Sequence, residues 1–223
     1  MICVSLLEED LQTALELLPK AEAVADLVEI RLDALKEPAC KPFLERARRP
    51  LLFTFRCPEE GGLGKAGLSE RLAFLKEAAS LGAFAVDLEL NAGEEALENL
   101  RSHCQKTRLV LSFHDFSGTP PEEDLKELVR KISFLGADVG KIITTAHIPE
   151  EALTNLNLIL FARKELSFPL ISFAMGRVGL FSRVLALLFG APWTYASLPG
   201  RREAAPGQLP APLLRELLDI FSS

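Results

Sequence analysis

Leu27-Val28-Glu29-Ile30-Arg31-Leu32-Asp33 is an apolar, β-rich run with a charge at every second position. Side chains alternate across a strand, so Glu29, Arg31 and Asp33 share one side of it. A second apolar run, Asp138-Val139-Gly140-Lys141-Ile142-Ile143-Thr144-Thr145, carries one lysine inside it. Outward from these two, strand-like runs recur over Ile2–Leu6, Leu27–Leu32, Leu51–Arg56, Phe84–Leu90, Leu109–His114, Val139–Thr144, Leu170–Met175 and Trp193–Leu198. Helical patterns lie between and after them, over Leu11–Leu18, Lys41–Ala47, Ser69–Ala79, Glu94–Ser102, Pro121–Phe134, Glu150–Arg163, Leu180–Leu188 and Pro212–Phe221. The fifth opens on a capping box, with Thr119 as N-cap, Pro120 at N1 and Glu122 at N3. Strand then helix, eight times over, predicts a parallel sheet closed into an α/β (β/α)8 TIM barrel. No linker rich in Pro, Gly or Ser divides the chain, so residues 1–223 read as one compact domain.

Of the residues, 48% are hydrophobic and 25% charged, the balance of an ordinary globular protein. The net charge of −6 argues against a nucleic-acid partner or an acidic membrane surface, both of which select a basic face. No apolar run approaches the roughly 18 residues of a spanning helix. The opening Met1–Asp10 has no basic segment and reaches acids by Glu8, so no signal peptide is read there. Cys3, Cys40, Cys57 and Cys104 form no CxxC pair and read as reduced thiols. A cytoplasmic location is expected.

Active sites of such barrels collect at the C-terminal ends of the strands, where the βα loops converge. Polar and ionisable residues fall there strand after strand. Glu29, Arg31 and Asp33 come from the second, and Arg56 ends the third, ahead of a loop with Glu60, Gly61 and Gly62. Asp87 and Glu89 come from the fourth, His114 and Asp115 from the fifth, Lys141 from the sixth and Ser172 from the seventh. Arg183 follows in the next helix, and Pro206, Gly207 and Gln208 lie after the eighth strand. Taken singly, each has an ordinary explanation: a hydrogen-bonded histidine, a snorkelling lysine, an internal salt link. Convergence of five strands' charges on one end is harder to explain, because burial costs stability unless the groups are used.

Lys141 is expected among apolar neighbours and near arginines or other cations. Desolvation and like charge both favour the neutral amine that attacks a ketone. His114 suits acid–base work near neutral pH, with Glu60 or Asp87 to orient it. Rim arginines suit a carboxylate or hydroxyls. The set fits proton abstraction beside a ketone on a small anionic, polyhydroxylated substrate, as in an aldolase, a dehydratase or an isomerase.

Six motifs in order narrow this. They are Glu29-Ile30-Arg31-Leu32-Asp33; Thr54-Phe55-Arg56 with Glu60-Gly61-Gly62; and Ser112-Phe113-His114-Asp115-Phe116. Lys141 follows 27 residues after His114, then come Ser172-Phe173-Ala174-Met175-Gly176 with Gly179 and Ser182-Arg183, and finally Ala205-Pro206-Gly207-Gln208. Together they resemble type I 3-dehydroquinate dehydratase, an enzyme of the shikimate pathway. The resemblance implies that Lys141 forms an imine with the substrate ketone, that His114 moves protons, and that Glu60 is the acid paired with it. It implies Arg183 and Gln208 at the substrate carboxylate, Glu29, Arg31 and Arg56 around the hydroxyls, and Met175 and Phe116 as apolar walls. It further implies no metal, no organic cofactor and a homodimer.

Two departures stand out. The family often has Ser where this chain has Ala204, and loss of that hydroxyl predicts a weaker carboxylate grip by about 1 kcal/mol; Ser197 and Arg201 are candidates to compensate. Many relatives carry an N-terminal extension across the barrel bottom; here the first strand opens the chain, so side chains alone are expected to plug it. The alternatives are another class I Schiff-base lyase such as an aldolase, and a non-catalytic metabolite-binding barrel. A metal-dependent hydratase is disfavoured, since His103 and His147 read as a surface helix and a loop residue without an HxH or HxxE cluster.

Overall fold

The computed structural model describes residues 1–222; Ser223, the last residue of the domain read from the sequence, lies outside them. Strands and helices alternate: β1 (Ile2–Leu6), α1 (Leu11–Val24), β2 (Leu27–Arg31), α2 (Lys41–Arg46), β3 (Leu51–Thr54), α3 (Leu68–Ser80), β4 (Ala85–Glu89), α4 (Glu94–Arg101), β5 (Arg108–His114), α5 (Glu122–Phe134), β6 (Val139–Thr145), α6 (Pro149–Glu165), β7 (Leu170–Met175), α7 (Gly176–Phe189), β8 (Thr194–Ala196) and α8 (Ala211–Ser222). All pairings are parallel, in the order β7-β6-β5-β4-β3-β2-β1-β8. This is the TIM barrel expected from the alternation. It is nearly closed: among the described residues no ladder joins β8 to β7.

Two apolar layers hold it together. One lies between sheet and helices and includes Val4, Ile30, Phe53, Val86, Leu111 and Ile142. The other fills the barrel and includes Cys3, Leu27, Leu52, Ala85, Val110, Val139, Ile171 and Trp193. Period-2 alternation accounts for the split. Along β2 to β6 the inward positions change from apolar to polar toward the C-terminal end: Leu27 to Glu29, Leu52 to Thr54, Ala85 to Asp87, Val110 to Ser112, Val139 to Lys141. The lower barrel is therefore a plug of side chains and the upper barrel a ring of polar groups.

Several boundaries differ from the sequence reading. β2 stops one residue early, and β3 and β8 stop two residues early. Leu32–Ala34 and Pro58–Glu60 turn into short 3-10 segments instead. α1 runs through Pro19 to Val24, because Leu15, Leu18 and Ala21 continue one buried stripe past it. The Thr119 capping box is not formed. α5 begins at Glu122 behind Pro121, and the Thr119 hydroxyl instead bonds Thr144 Oγ1 at 2.8 Å and the Thr145 carbonyl at 3.0 Å. Among the described residues no helix is long and apolar enough to cross a membrane.

Candidate active site

The polar ring surrounds a cavity with about 500 Å³ of empty space, counting the part open to solvent. Lys141, His114, Glu60, Glu29, Arg31, Arg56, Arg183, Gln208, Met175 and Phe116 all line it, so every sequence-predicted site residue meets there. Ser5, Ile143, Phe173 and Tyr195 also line it, and the sequence reading gave them no part. Alternation along β1, β6, β7 and β8 places each on the inward side, which was the available signal.

Lys141 sits mid-strand in β6, registered against Ser112 on β5 and Ile171 on β7. Its Nζ donates to Asp87 Oδ2 at 2.9 Å and stands 4.6 Å from the Tyr195 ring centre. Arg56 stands nearby, as expected of a cation, but it meets Lys141 through the Asp87 carboxylate that lies between them. Asp87 also accepts from Arg56 Nη2 at 2.8 Å and from the Ser112 hydroxyl at 2.6 Å. Burial pushes its carboxyl up, but Arg56 and Lys141 override this and hold it well below the usual carboxylate range.

The choice between Glu60 and Asp87 as partner of His114 falls to Glu60, whose Oε2 lies 2.8 Å from His114 Nδ1. Nε2 is then the ring nitrogen left for an occupant of the cavity. Burial, with Arg56 and Lys141 adding to it, pushes the imidazole well below its ordinary value, so His114 is neutral at pH 7. Burial lifts Glu60 to about 7, with Glu89 and Asp87 reinforcing the shift and Arg56 opposing it. Its loop explains the paired glycines. Gly61 has φ +83°, and a Cβ there would meet the Phe116 ring at 2.6 Å; at Gly62 it would fall 2.0 Å from the Arg56 carbonyl. Phe116, 48% exposed, stacks beside His114 at the mouth.

Glu29 is held by hydroxyls: Ser5 donates at 2.5 Å and Thr54 at 2.7 Å. Arg31 grips Asp33 through two bonds of 2.8 and 2.7 Å. Arg183, from α7, is only 1% exposed yet among the described residues has no bond to a carboxylate. Its Nη2 donates to the Pro206 carbonyl at 3.1 Å, Nε has no partner among the described residues, and the guanidinium lies 4.4 Å from the Phe173 ring centre. Burial lowers it to about 10, with only Glu203 opposing. Gln208 Oε1 accepts from the Ala204 amide at 2.9 Å. Neither candidate substitute for the missing hydroxyl reaches the cavity. The Ser197 amide pairs with Leu209, and Arg201 makes a rim ion pair with Glu8. Among the described residues no three His, Cys, Asp or Glu side chains gather where a metal ion would sit. His103 lies in the turn just after α4, not within it, and His147 in the loop before α6.

The sequence signature of type I 3-dehydroquinase matches residues 2–223. The chain belongs to this family. It is a hydro-lyase of the shikimate pathway. It is 38% identical over 223 residues to the 3-dehydroquinate dehydratase of Desulfotalea psychrophila, spanning 99% of this chain and 96% of that one. The 3-dehydroquinate dehydratase of Geobacillus kaustophilus superimposes with a TM-score of 0.90 at 30% identity, over 99% of this chain and 90% of its own. The type I enzyme of Clostridium difficile with covalent modified comenic acid superimposes with a TM-score of 0.89 at 25% identity, over 99% and 91%.

Proposed function

We propose that this chain converts 3-dehydroquinate to 3-dehydroshikimate through an imine on Lys141, with His114 as the general acid and base. The observation that carries the reading is a primary amine and a neutral imidazole lining one cavity, across from an arginine that hydrogen-bonds no carboxylate among the described residues. The covalent ligand named for the Clostridium difficile relative agrees with a nucleophile in such a cavity.

The steps follow from the geometry. Arg183, helped by Gln208, takes the substrate carboxylate, because an anion is what a desolvated guanidinium lacks. Glu29, Arg31 and Arg56 meet the hydroxyls. Nζ attacks the ketone, His114 passes protons through Nε2, and water leaves to give the iminium. The iminium withdraws electrons, so the proton on the adjacent carbon becomes removable, and His114 takes it. The hydroxyl one carbon further departs as water, protonated by the same imidazole. Hydrolysis of the imine then returns the amine and the enone. Glu60 holds the ring orientation throughout, and Met175 and Phe116 wall the site. No step calls on a metal or an organic cofactor.

The ultraviolet absorbance of the conjugated enone tests this directly. Wild-type protein treated with EDTA is expected to turn over 3-dehydroquinate, and Lys141→Ala is expected to bind weakly and lose turnover by on the order of 10⁴-fold or more. Near-wild-type rates for Lys141→Ala would contradict the imine. The same resemblance carries a homodimer, a cytoplasmic location and one domain over the whole chain, to be checked by sedimentation, by fractionation and by a single unfolding transition.

A further inference from the structure

Five charges of alternating sign run from the helix layer to the cavity. Arg71, in the first turn of α3, donates from Nη1 to Glu89 Oε2 at 2.7 Å and to the Phe55 carbonyl at 3.3 Å. Glu89 Oε1 accepts from Arg56 Nη1 at 3.2 Å and from the Cys57 amide at 2.9 Å. Arg56 Nη2 reaches Asp87 Oδ2, and the same oxygen takes Lys141 Nζ. All five are buried, so each depends on its neighbours and not on water for neutralisation. Arg71 does not line the cavity, and among the described residues it alone hydrogen-bonds Glu89 Oε2.

We infer that Arg71 is a positioning residue for the dehydration: it anchors Glu89, and so divides the Arg56 fork between Glu89 and Asp87 and fixes where Lys141 Nζ stands. The inference rests on the imine reading above. The physical reason is competition. Two buried carboxylates share one guanidinium, and the division holds only while Glu89 has a second cation. Without Arg71, Arg56 is drawn toward Glu89, Asp87 keeps Lys141 alone, and Nζ is pulled from the cavity. A shift of about 1 Å at a reacting atom is enough to slow chemistry on the order of 100-fold.

The test uses Arg71→Gln, Arg71→Lys, Glu89→Gln and the Arg71→Gln/Glu89→Gln pair. Folding is read by circular dichroism, kcat and KM from enone absorbance, and imine formation by borohydride trapping on residue 141. Arg71→Gln is expected to lower kcat by about tenfold or more with KM changed less than about threefold. Arg71→Lys, which keeps the charge, is expected to recover most of that loss. In the Glu89→Gln background, Arg71→Gln should add little, because the route is already cut. Folded Arg71→Gln with wild-type kcat, or losses at the two sites that simply multiply, overturns the relay while leaving a trapped wild-type adduct, and with it the imine, in place. Absence of that wild-type adduct overturns both. Should Arg71→Gln not fold, Glu89→Gln carries the same test from the next link: a kcat lowered about tenfold is expected, and wild-type kcat overturns the relay.

Discussion

In the wall built by β2 to β5, both arginines that line the cavity are matched. Arg31 is locked to Asp33, and Arg56 divides its fork between Asp87 and Glu89. Both guanidiniums are held above their ordinary value, because these carboxylates outweigh burial. In the opposite wall, formed by β7, α7 and the loop after β8, Arg183 is just as buried and makes one bond to a backbone carbonyl. Its value falls where theirs rise. The inward face of β7 is apolar throughout, with Ile171, Phe173 and Met175, and supplies no counter-charge. A matched buried charge fixes geometry and can still meet a neutral hydroxyl, but it has little pull left for an anion. An unmatched one destabilises the empty protein and is relieved by an incoming anion.

Substitution at the two arginines should separate these roles. Arg56→Met leaves Asp87 and Glu89 short of a cation and is expected to destabilise the fold by about 3–5 kcal/mol, read from denaturant unfolding. Arg183→Met removes a charge that among the described residues hydrogen-bonds no carboxylate and feels only the longer-range pull of Glu203. Its unfolding midpoint should hold or rise, while KM for 3-dehydroquinate increases on the order of 10- to 100-fold, the worth of one charged hydrogen-bond partner. Equal destabilisation by both substitutions would erase the contrast.

A smaller effect comes from the His114–Glu60 pair on the matched side. A carboxylate at Glu60 accepts the Nδ1 proton and leaves Nε2 as a base; a protonated one reverses the tautomer. Because Glu60 is raised to about 7, kcat/KM should climb with pH through that region and fall about tenfold per pH unit below it. In Glu60→Gln this limb should vanish from the profile, whatever the remaining rate. The smallest effect is at Ala204, beside Arg183. Ala204→Ser supplies a hydroxyl to the unmatched wall and should lower KM by no more than about fivefold, equivalent to about 1 kcal/mol.

The two walls were not equally legible in the sequence. Strands were found because each is a short apolar run, and Lys141, Glu29 and Arg31 stood out as charges within them. Alternation says which side a residue faces; it does not say which residue it meets across the barrel. Asp87 was therefore visible as an inward acid, yet its partnership with Lys141 depends on how β4, β5 and β6 are staggered. Arg71 was hidden for a related reason: on an α3 surface it reads as one more solvated charge, and only its contact with Glu89 at the end of β4 marks it out. Thr119 shows the opposite failure. Its local capping pattern was complete, but the hydroxyl found better partners on β6.

The central claim is that the amine of Lys141 becomes bonded to substrate while Arg183 holds the far end. Borohydride reduction of wild-type protein with 3-dehydroquinate, followed by peptide mass spectrometry, measures it most directly. The account predicts a substrate-dependent adduct on residue 141, present in Arg183→Met only at much higher substrate concentration. No adduct on residue 141 in a preparation that turns over substrate would contradict it.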